Sequence, residues 1–321
     1  MKLLRLTCLV FCLLFPFFVF AKSDLRIVLN PKNPSPYEKI TLTVESYSFD
    51  VNTSLVTWYV QSKQVSSGMG NKTMQINLGG AGENSQVIVV VKTPSGEVVE
   101  SRITITPKSV SLLWESFESY TPPFYEGKAL PGEGARIRVT ALPVIFENGA
   151  LIPPTALSYS WYMNGSFLEN SSGYGKQSAV ITLDYLSSVT DIKVRVKSIS
   201  DAVAEKTVSI HPRDVLSVFY SYDEILGINR TSQIKGRLET TRDFILSLSP
   251  YYLSTKGLES SLSYTWLLDG SPITPEENTL LAFRPQENSF GTKMLTVMIS
   301  NTKKRLQKAE TGLEILFDTR N

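Results

Sequence analysis

Cysteine and histidine are nearly absent from this chain. It has two cysteines, Cys8 and Cys12, and one histidine, His211. A Ser-His-Asp triad would have to use His211, which lies in an Ile-His-Pro sequence at the end of a strand pattern, and no glycine-framed serine occurs elsewhere. We therefore interpret His211 as a boundary residue and predict no catalytic or cofactor-binding residue.

Both cysteines lie in a segment with the pattern of a cleavable export signal. Lys2 and Arg5 precede an apolar run from residue 6 to 20, and Ala21 completes a small-residue cleavage motif. An uncleaved membrane anchor is the alternative, but the run is short for a bilayer span. We expect a mature chain that begins at Lys22 and has no cysteine. With one histidine and no cysteine, such a chain cannot form the usual zinc ligand sets, and it must be stabilised by hydrophobic cores rather than disulfides, which favours a bacterial source.

Neither sign of charge is in excess. The chain has 32 Lys and Arg residues against 30 Asp and Glu residues, and loss of Lys2 and Arg5 with the signal removes the difference. Nucleic acids and anionic membrane surfaces select a basic excess or a basic patch, so neither is predicted as a partner of the mature chain. The signal peptide alone contacts a membrane, before cleavage. The one dense basic run, Lys303-Lys304-Arg305, is expected to be a solvated hairpin tip.

The sequence has no convincing helical pattern, but it contains an internal repeat. Trp58, Trp161 and Trp266 recur about every 100 residues, each between segments in which apolar residues alternate with Thr, Ser, Arg or Lys. Alternation with a period of two predicts strands with one buried and one solvated face. The repeat divides the chain into a signal peptide (1–21) and three modules (22–107, 108–212 and 213–321).

The size and strand pattern of each module predict an immunoglobulin-like (Ig-like) fold. A module of about 100 residues, with roughly seven short strands and a tryptophan on the third, matches this antiparallel β-sandwich. The dipeptides Asn164-Gly165 and Asp269-Gly270 predict tight hairpin turns after two of the tryptophan strands. The fold prediction is therefore all-β, with three Ig-like sandwiches in tandem. We expect Trp58, Trp161 and Trp266 to lie in the three cores.

The residues around two of the tryptophans resemble a known group of modules. The pattern Tyr-x-Trp-x-x-(Asp/Asn)-Gly, at Tyr159–Gly165 and Tyr264–Gly270, is similar to the third strand and hairpin of PKD-type and related bacterial Ig-like modules. The first module departs from it, with Val56 in place of the tyrosine and Gln61-Ser62 at the turn. The resemblance extends over the chain from Lys22 onward. It implies the fold and export, and it implies no ligand.

One loop is dense in aromatic residues and is the candidate ligand-binding segment. Tyr120, Phe124 and Tyr125 lie in a proline-bearing stretch where a sugar ring or a proline-rich peptide could stack. The alternative is packing, because Trp114 and Phe219 occur at the same distance from the starts of their modules, and a recurring aromatic usually packs within the repeat. Binding is therefore assigned to Tyr120, Phe124 and Tyr125 only.

Three carboxylate pairs are the remaining candidates for chemistry: Asp223-Glu224, Glu276-Glu277, and Glu115 with Glu118. None lies in the spaced Asp-x-Asp-x-Asp-Gly loop that binds calcium. We expect each pair to lie on a solvated face or turn, and no metal site is predicted. Calcium between modules stays open.

These patterns favour a non-catalytic exported protein that acts in adhesion, spacing or scaffolding at the cell envelope. Its partner would be a protein or a glycan, it would need no cofactor, and it would work in the periplasm, at the cell surface or outside the cell. One alternative is a carbohydrate-binding protein that uses the loop from Tyr120 to Tyr125. The other is a hydrolase built on the carboxylate pairs.

Overall fold

The computed structural model describes residues 24–185, 187–256 and 262–320. The expected signal peptide and its cleavage site lie outside these residues. The chain divides into two compact units, Met1–Lys108 and Ser109–Asn321. The described helices are 3-10 turns at Val51–Thr53, Pro154–Ala156 and Glu169–Ser171. None of the helices in the described part of the chain has the length and hydropathy of a membrane span.

The first unit is one β-sandwich. Its strands are β1 (Arg26–Asn30), β2 (Lys39–Glu45), β3 (Leu55–Val60), β4 (Lys63–Met69), β5 (Thr73–Asn77), β6 (Ser85–Lys92) and β7 (Val98–Ile105). A three-stranded sheet in the order β1-β2-β5 faces a four-stranded sheet in the order β4-β3-β6-β7. The fourth strand therefore pairs with the tryptophan-bearing third strand, whereas constant-type Ig domains place it in the sheet of the first two strands.

The second unit contains two sandwiches, and the first of them repeats this layout. Its strands are β8 (Ser109–Ser116), β9 (Arg136–Val144), β10 (Phe146–Glu147), β11 (Ala150–Leu151), β12 (Ser158–Met163), β13 (Ser166–Phe167), β14 (Gly173–Tyr174), β15 (Ser178–Thr182), β16 (Thr190–Lys197) and β17 (Val203–Ile210). The sheet β15-β9-β8 faces the sheet β13-β12-β16-β17, and β14 also pairs with β12. Strands β10 and β11 form a separate small hairpin.

The other sandwich of the second unit has additional pairings. Its strands are β18 (Leu216–Asp223), β19 (Gly227–Ile234), β20 (Gly236–Thr240), β21 (Phe244–Tyr251), β22 (Leu262–Leu268), β23 (Ser271–Ile273), β24 (Leu280–Phe283), β25 (Phe290–Asn301) and β26 (Lys308–Asp318). The sheets run β19-β18-β21-β24 and β20-β26-β25-β22-β23. The chain crosses between them after β19, so that β20 pairs with β26 in parallel.

Each sandwich encloses its own hydrophobic core with a tryptophan from the third-strand position. Trp58, Trp161 and Trp266 are 0%, 0% and 2% exposed, and they belong to three separate clusters of buried side chains. Antiparallel ladders and alternating burial, as along β2, confirm the predicted all-β, Ig-like fold. The module boundaries at 107/108 and 212/213 stay predictions.

The three tryptophans share a polar contact as well as a core position. Each indole Nε1–H donates to a backbone carbonyl that lies after the hairpin of its own strand. The acceptors are Asn71 O at 2.9 Å, Lys176 O at 3.0 Å and Asn278 O at 3.2 Å. A buried indole N–H without an acceptor would be costly, so this contact lets a large ring occupy each core.

The predicted hairpin turns adopt the left-handed backbone that their residues favour. Asn164 and Gly165 have φ angles of 48° and 81°, and Asp269 and Gly270 have 48° and 78°. The first sandwich makes the same kind of turn with Gln61 and Ser62, at 50° and 64°. A serine pays a steric penalty there that glycine avoids.

Candidate functional site

Tyr120, one of the three predicted ligand-binding residues, contacts the sandwich that contains β18–β26. Its backbone N–H donates to Leu253 O at 2.8 Å, and its hydroxyl donates to Ser249 Oγ at 3.2 Å. Its ring meets the ring of Tyr251 edge-on, with centroids 5.6 Å apart. The described contacts therefore place Tyr120 in a joint between the two sandwiches of the second unit.

Phe124 and Tyr125 lie on the outer turn of the same loop. The Phe124 side chain is fully exposed and its φ is 60°, while Tyr125 is 53% exposed. A bulky residue whose backbone lies in the left-handed region lowers the stability of the fold, and residues in such strained conformations cluster at functional sites. Ligand binding by Phe124 and Tyr125 stays a prediction.

Glu118 and Lys304 form a buried ion pair at the centre of the joint. The two residues are 1% and 2% exposed, and the Lys304 ammonium donates to Glu118 Oε1. Arg136 donates its backbone N–H to Oε1 at 2.7 Å and its Nε–H to Oε2 at 3.0 Å. Lys304 Nζ also donates to Gly134 O at 3.0 Å. The joint therefore holds paired charges away from water.

The environment of the Glu118 carboxyl favours its ionised form. Burial alone would raise its pKa, but the hydrogen bonds from Lys304 and Arg136 outweigh burial and lower the pKa below the usual range. Glu118 is thus a charged structural group rather than a protonated acid. A calcium ion at this joint would have to compete with the ammonium and guanidinium that already hold the carboxylate.

Side-chain amides extend the joint around the ion pair. Gln307 Nε2 donates to Glu133 O at 2.7 Å, and Gln307 Oε1 accepts from Ser254 N–H at 2.9 Å. Asn301 Nδ2 donates to Ser254 O at 3.2 Å. The bond to Glu133 joins the two sandwiches, and the two bonds to Ser254 hold Gln307 and Asn301 in place within the sandwich that contains β18–β26.

Two sequence-based expectations about this region are wrong. Lys304 is buried, not part of a solvated tip, although Lys303 and Arg305 beside it are exposed. Glu118 is also buried, while its predicted companion Glu115 is exposed. Both exceptions arise because a turn of one sandwich is covered by a loop of another, and a pattern within either segment carries no sign of that contact.

The other two carboxylate pairs line a single depression. Asp223-Glu224 and Glu276-Glu277 surround two adjoining hollows of about 380 and 420 Å³. Tyr222, Ile245 and Ala282 form a row across β18, β21 and β24 and line both hollows. We call this depression the β24 groove. Acidic side chains on an apolar floor suit recognition of a basic, partly apolar ligand.

One carboxylate of the groove, that of Asp223, is hydrogen-bonded to the backbone of its own turn. Asp223 Oδ1 accepts the backbone N–H groups of Leu226 at 2.9 Å and Ile225 at 2.8 Å. These bonds lower the pKa of Asp223 and give it the role of a turn cap. No group of three or more His, Cys, Asp or Glu side chains within the described ranges is arranged to hold a metal ion. His211 is exposed, with Nδ1 3.2 Å from Ser188 O.

Comparison with known proteins gives structural neighbours but no family. No family model and no curated protein matches the chain. The fibronectin(III)-like modules of Clostridium thermocellum CbhA align at 12% identity and a TM-score of 0.28, over 59% of this chain and 94% of theirs. Three N-terminal domains of the bacteriophage RB49 highly immunogenic outer capsid protein align at 11% identity and a TM-score of 0.25, over 94% of this chain and 99% of theirs. A solved chain from a 1.5-MDa bacterial ice-binding adhesin aligns at 11% identity and a TM-score of 0.24, over 92% of this chain and 99% of that solved chain. These values assign no function, and the PKD-type resemblance stays a prediction.

Proposed function

We propose that this chain is an exported, non-catalytic protein of the cell envelope that holds a bound partner at a fixed orientation through its tandem sandwiches. The observation that carries the proposal is the buried joint around Glu118 and Lys304. Domains that are joined by a flexible linker do not bury charged pairs between them. The cost of removing two charges from water is offset only when the charges and their hydrogen-bond partners are held in a good geometry. The two sandwiches belong to one compact unit, and on this proposal they move as one rigid body, which suits spacing or adhesion.

The test of this function measures how rigid the joint is. The mature chain has no cysteine, so cysteines at the exposed positions Lys206 and Glu310 can carry spin labels on the two sandwiches. We expect a single narrow distance distribution that broadens in Glu118→Ala/Lys304→Ala. Arg305→Ala, at the exposed position beside Lys304, is the matched control and should leave the distribution unchanged. A broad distribution in the unsubstituted chain would contradict a spacer role.

Export has its own test. Expression with the native N-terminus in a bacterial host, followed by N-terminal sequencing of exported material, should give a chain that begins at Lys22. Recovery of chains that retain Met1 would contradict cleavage.

A substrate panel for glycosidase and esterase activity should be negative with purified protein, and reproducible turnover would overturn the non-catalytic part of the proposal.

A second candidate function is carbohydrate binding by the exposed aromatic turn. The full exposure of Phe124, in a left-handed conformation, is the observation that favours it. On a glycan array, Phe124→Ala and Tyr125→Ala should each lose a signal that the parent chain gives. Tyr174→Ala is the control, since Tyr174 is a 64% exposed tyrosine of the same sandwich. An unchanged array pattern would reject this candidate.

A further inference from the structure

The hairpin between β18 and β19 carries two aliphatic side chains that the protein leaves uncovered. Ile225 is 92% exposed and Leu226 is 87% exposed. Asp223 Oδ1 accepts both of their backbone N–H groups, which fixes the apex. Two adjacent large aliphatic residues, held rigid and fully in solvent, are typical of contact surfaces rather than of ordinary turns.

The β24 groove adjoins this apex, since Ile225 lines one of its two hollows. Strand β24 ends the sheet order β19-β18-β21-β24 and is an edge strand. The hollows lie at its two ends, one beside Leu280 and the other beside Arg284. Because an extended chain advances about 3.4 Å per residue, a groove that runs from Leu280 to Arg284 accommodates four or five residues of such a chain.

Charge around the groove selects among occupants. Asp223, Glu224, Glu276 and Glu277 line it, and Arg284, the one basic residue among the described residues that line it, pairs with Asp243 at 3.7 Å. An anionic lipid surface would be repelled by this rim. A second copy seated groove against groove would bring acidic rim against acidic rim. A segment with apolar and basic residues matches both the floor and the rim.

We propose that the β24 groove and the Ile225-Leu226 apex form the docking site for an extended segment of a protein partner. The segment places apolar side chains over Tyr222, Ile245 and Ala282 and directs Lys or Arg side chains toward Glu276 and Glu277. This inference rests on the proposed function, because it supplies the partner that the rigid sandwiches hold.

The experiment selects peptides from a random phage-displayed library on the mature chain, residues 22–321. We expect enriched peptides in which apolar residues are flanked by Lys or Arg. Their affinity should fall at least about tenfold for Ile225→Ser/Leu226→Ser and for Glu276→Lys/Glu277→Lys. Ile199→Ser is the matched apolar control, because Ile199 is 89% exposed on a turn of another sandwich. Glu97→Lys, at an exposed turn of the first unit, is the matched charge control.

The docking site would be contradicted by selected peptides that bind the two double variants as tightly as they bind the parent chain. It would also be contradicted if the parent chain bound phosphatidylglycerol vesicles, or dimerised, and Ile225→Ser/Leu226→Ser abolished that binding or dimerisation. Near-ultraviolet circular dichroism checks that each variant is folded, and the two double variants test the apex and the acidic rim separately. The spin-label distances report on the joint alone, so a failed selection with a narrow distance distribution would remove the docking site and leave the proposed function standing.

Discussion

The carboxylate of Glu118 in one sandwich of the second unit pairs with the ammonium of Lys304 in the other, and neither side chain is more than 3% exposed. Removing one member of such a pair leaves the other charge buried. Lys304→Met should therefore destabilise the second unit by about 3 kcal/mol, since Arg136 still neutralises part of the Glu118 charge. Urea unfolding followed by circular dichroism measures this loss. The double variant Glu118→Met/Lys304→Met should lose less, and equal losses would argue against a coupled pair.

The stability that Glu118 contributes should depend on pH in a defined direction. Its pKa is lowered in the folded chain. A lowered carboxyl pKa stabilises the fold above the unfolded-state value of about 4.3 and ceases to do so as pH falls through the folded value. The difference in unfolding free energy between the parent and Glu118→Gln should be constant near neutral pH and shrink in acid. A difference that grows on acidification would contradict the ion pair.

Local patterns in the sequence predicted the strands but not the contacts between sandwiches. The spacing of Trp58, Trp161 and Trp266 and the alternation of apolar and polar residues around them predicted the core of each sandwich. This succeeded because each core is formed by the strands that carry these patterns. Lys304 and Glu118 are 186 residues apart, and each is a charged residue in a segment between strands. Their burial depends on two loops meeting, which no periodicity within either loop encodes.

The candidate site shows the same limit. The Asp223-Glu224 and Glu276-Glu277 pairs were recognised separately, yet only the pairing of β18, β21 and β24 brings them to one groove. The sandwich that contains β18–β26 also has more than the roughly seven strands predicted, and one of them, β20, crosses to the other sheet and pairs in parallel with β26.

The core tryptophans should dominate the stability of their sandwiches. Trp58→Ala, Trp161→Ala and Trp266→Ala each leave a cavity and an unpaired carbonyl, so each should cost about 3–5 kcal/mol. Trp114 is only half-buried, beneath the Lys128 ammonium at 3.9 Å from its ring, and Trp114→Ala should cost less. Denaturant unfolding of the four variants compares them. A silent Trp161→Ala, or Trp114→Ala as the most damaging, would contradict the equivalence of the three cores.

The turn of the first sandwich can be improved by copying its counterpart. Ser62 and Gly165 occupy the same turn position, with φ angles of 64° and 81°. Ser62→Gly should stabilise the first unit by about 0.5–1 kcal/mol, because glycine adopts this conformation without the steric penalty. Gly165→Ser is the reciprocal control. A Cβ at this position meets no neighbouring atom, so only the backbone penalty applies, and the second unit should be destabilised by a similar amount. Thermal unfolding by circular dichroism reads both, and a stabilising Gly165→Ser would refute the argument.

Two aromatic residues of one loop should respond differently to truncation. Tyr120 makes a backbone and a hydroxyl contact with the neighbouring sandwich and an edge-on contact with Tyr251, whereas Phe124 is fully exposed. Tyr120→Ala should cost about 2–4 kcal/mol of the stability of the second unit, because it removes a packed ring and leaves Ser249 without this partner. Phe124→Ala should change stability by less than about 0.5 kcal/mol. Urea unfolding separates the two, and Tyr120→Phe, which keeps the ring, should lie between them. If Phe124→Ala proved the more damaging, its side chain would have to pack in solution, and the exposed turn would no longer be a candidate for glycan binding.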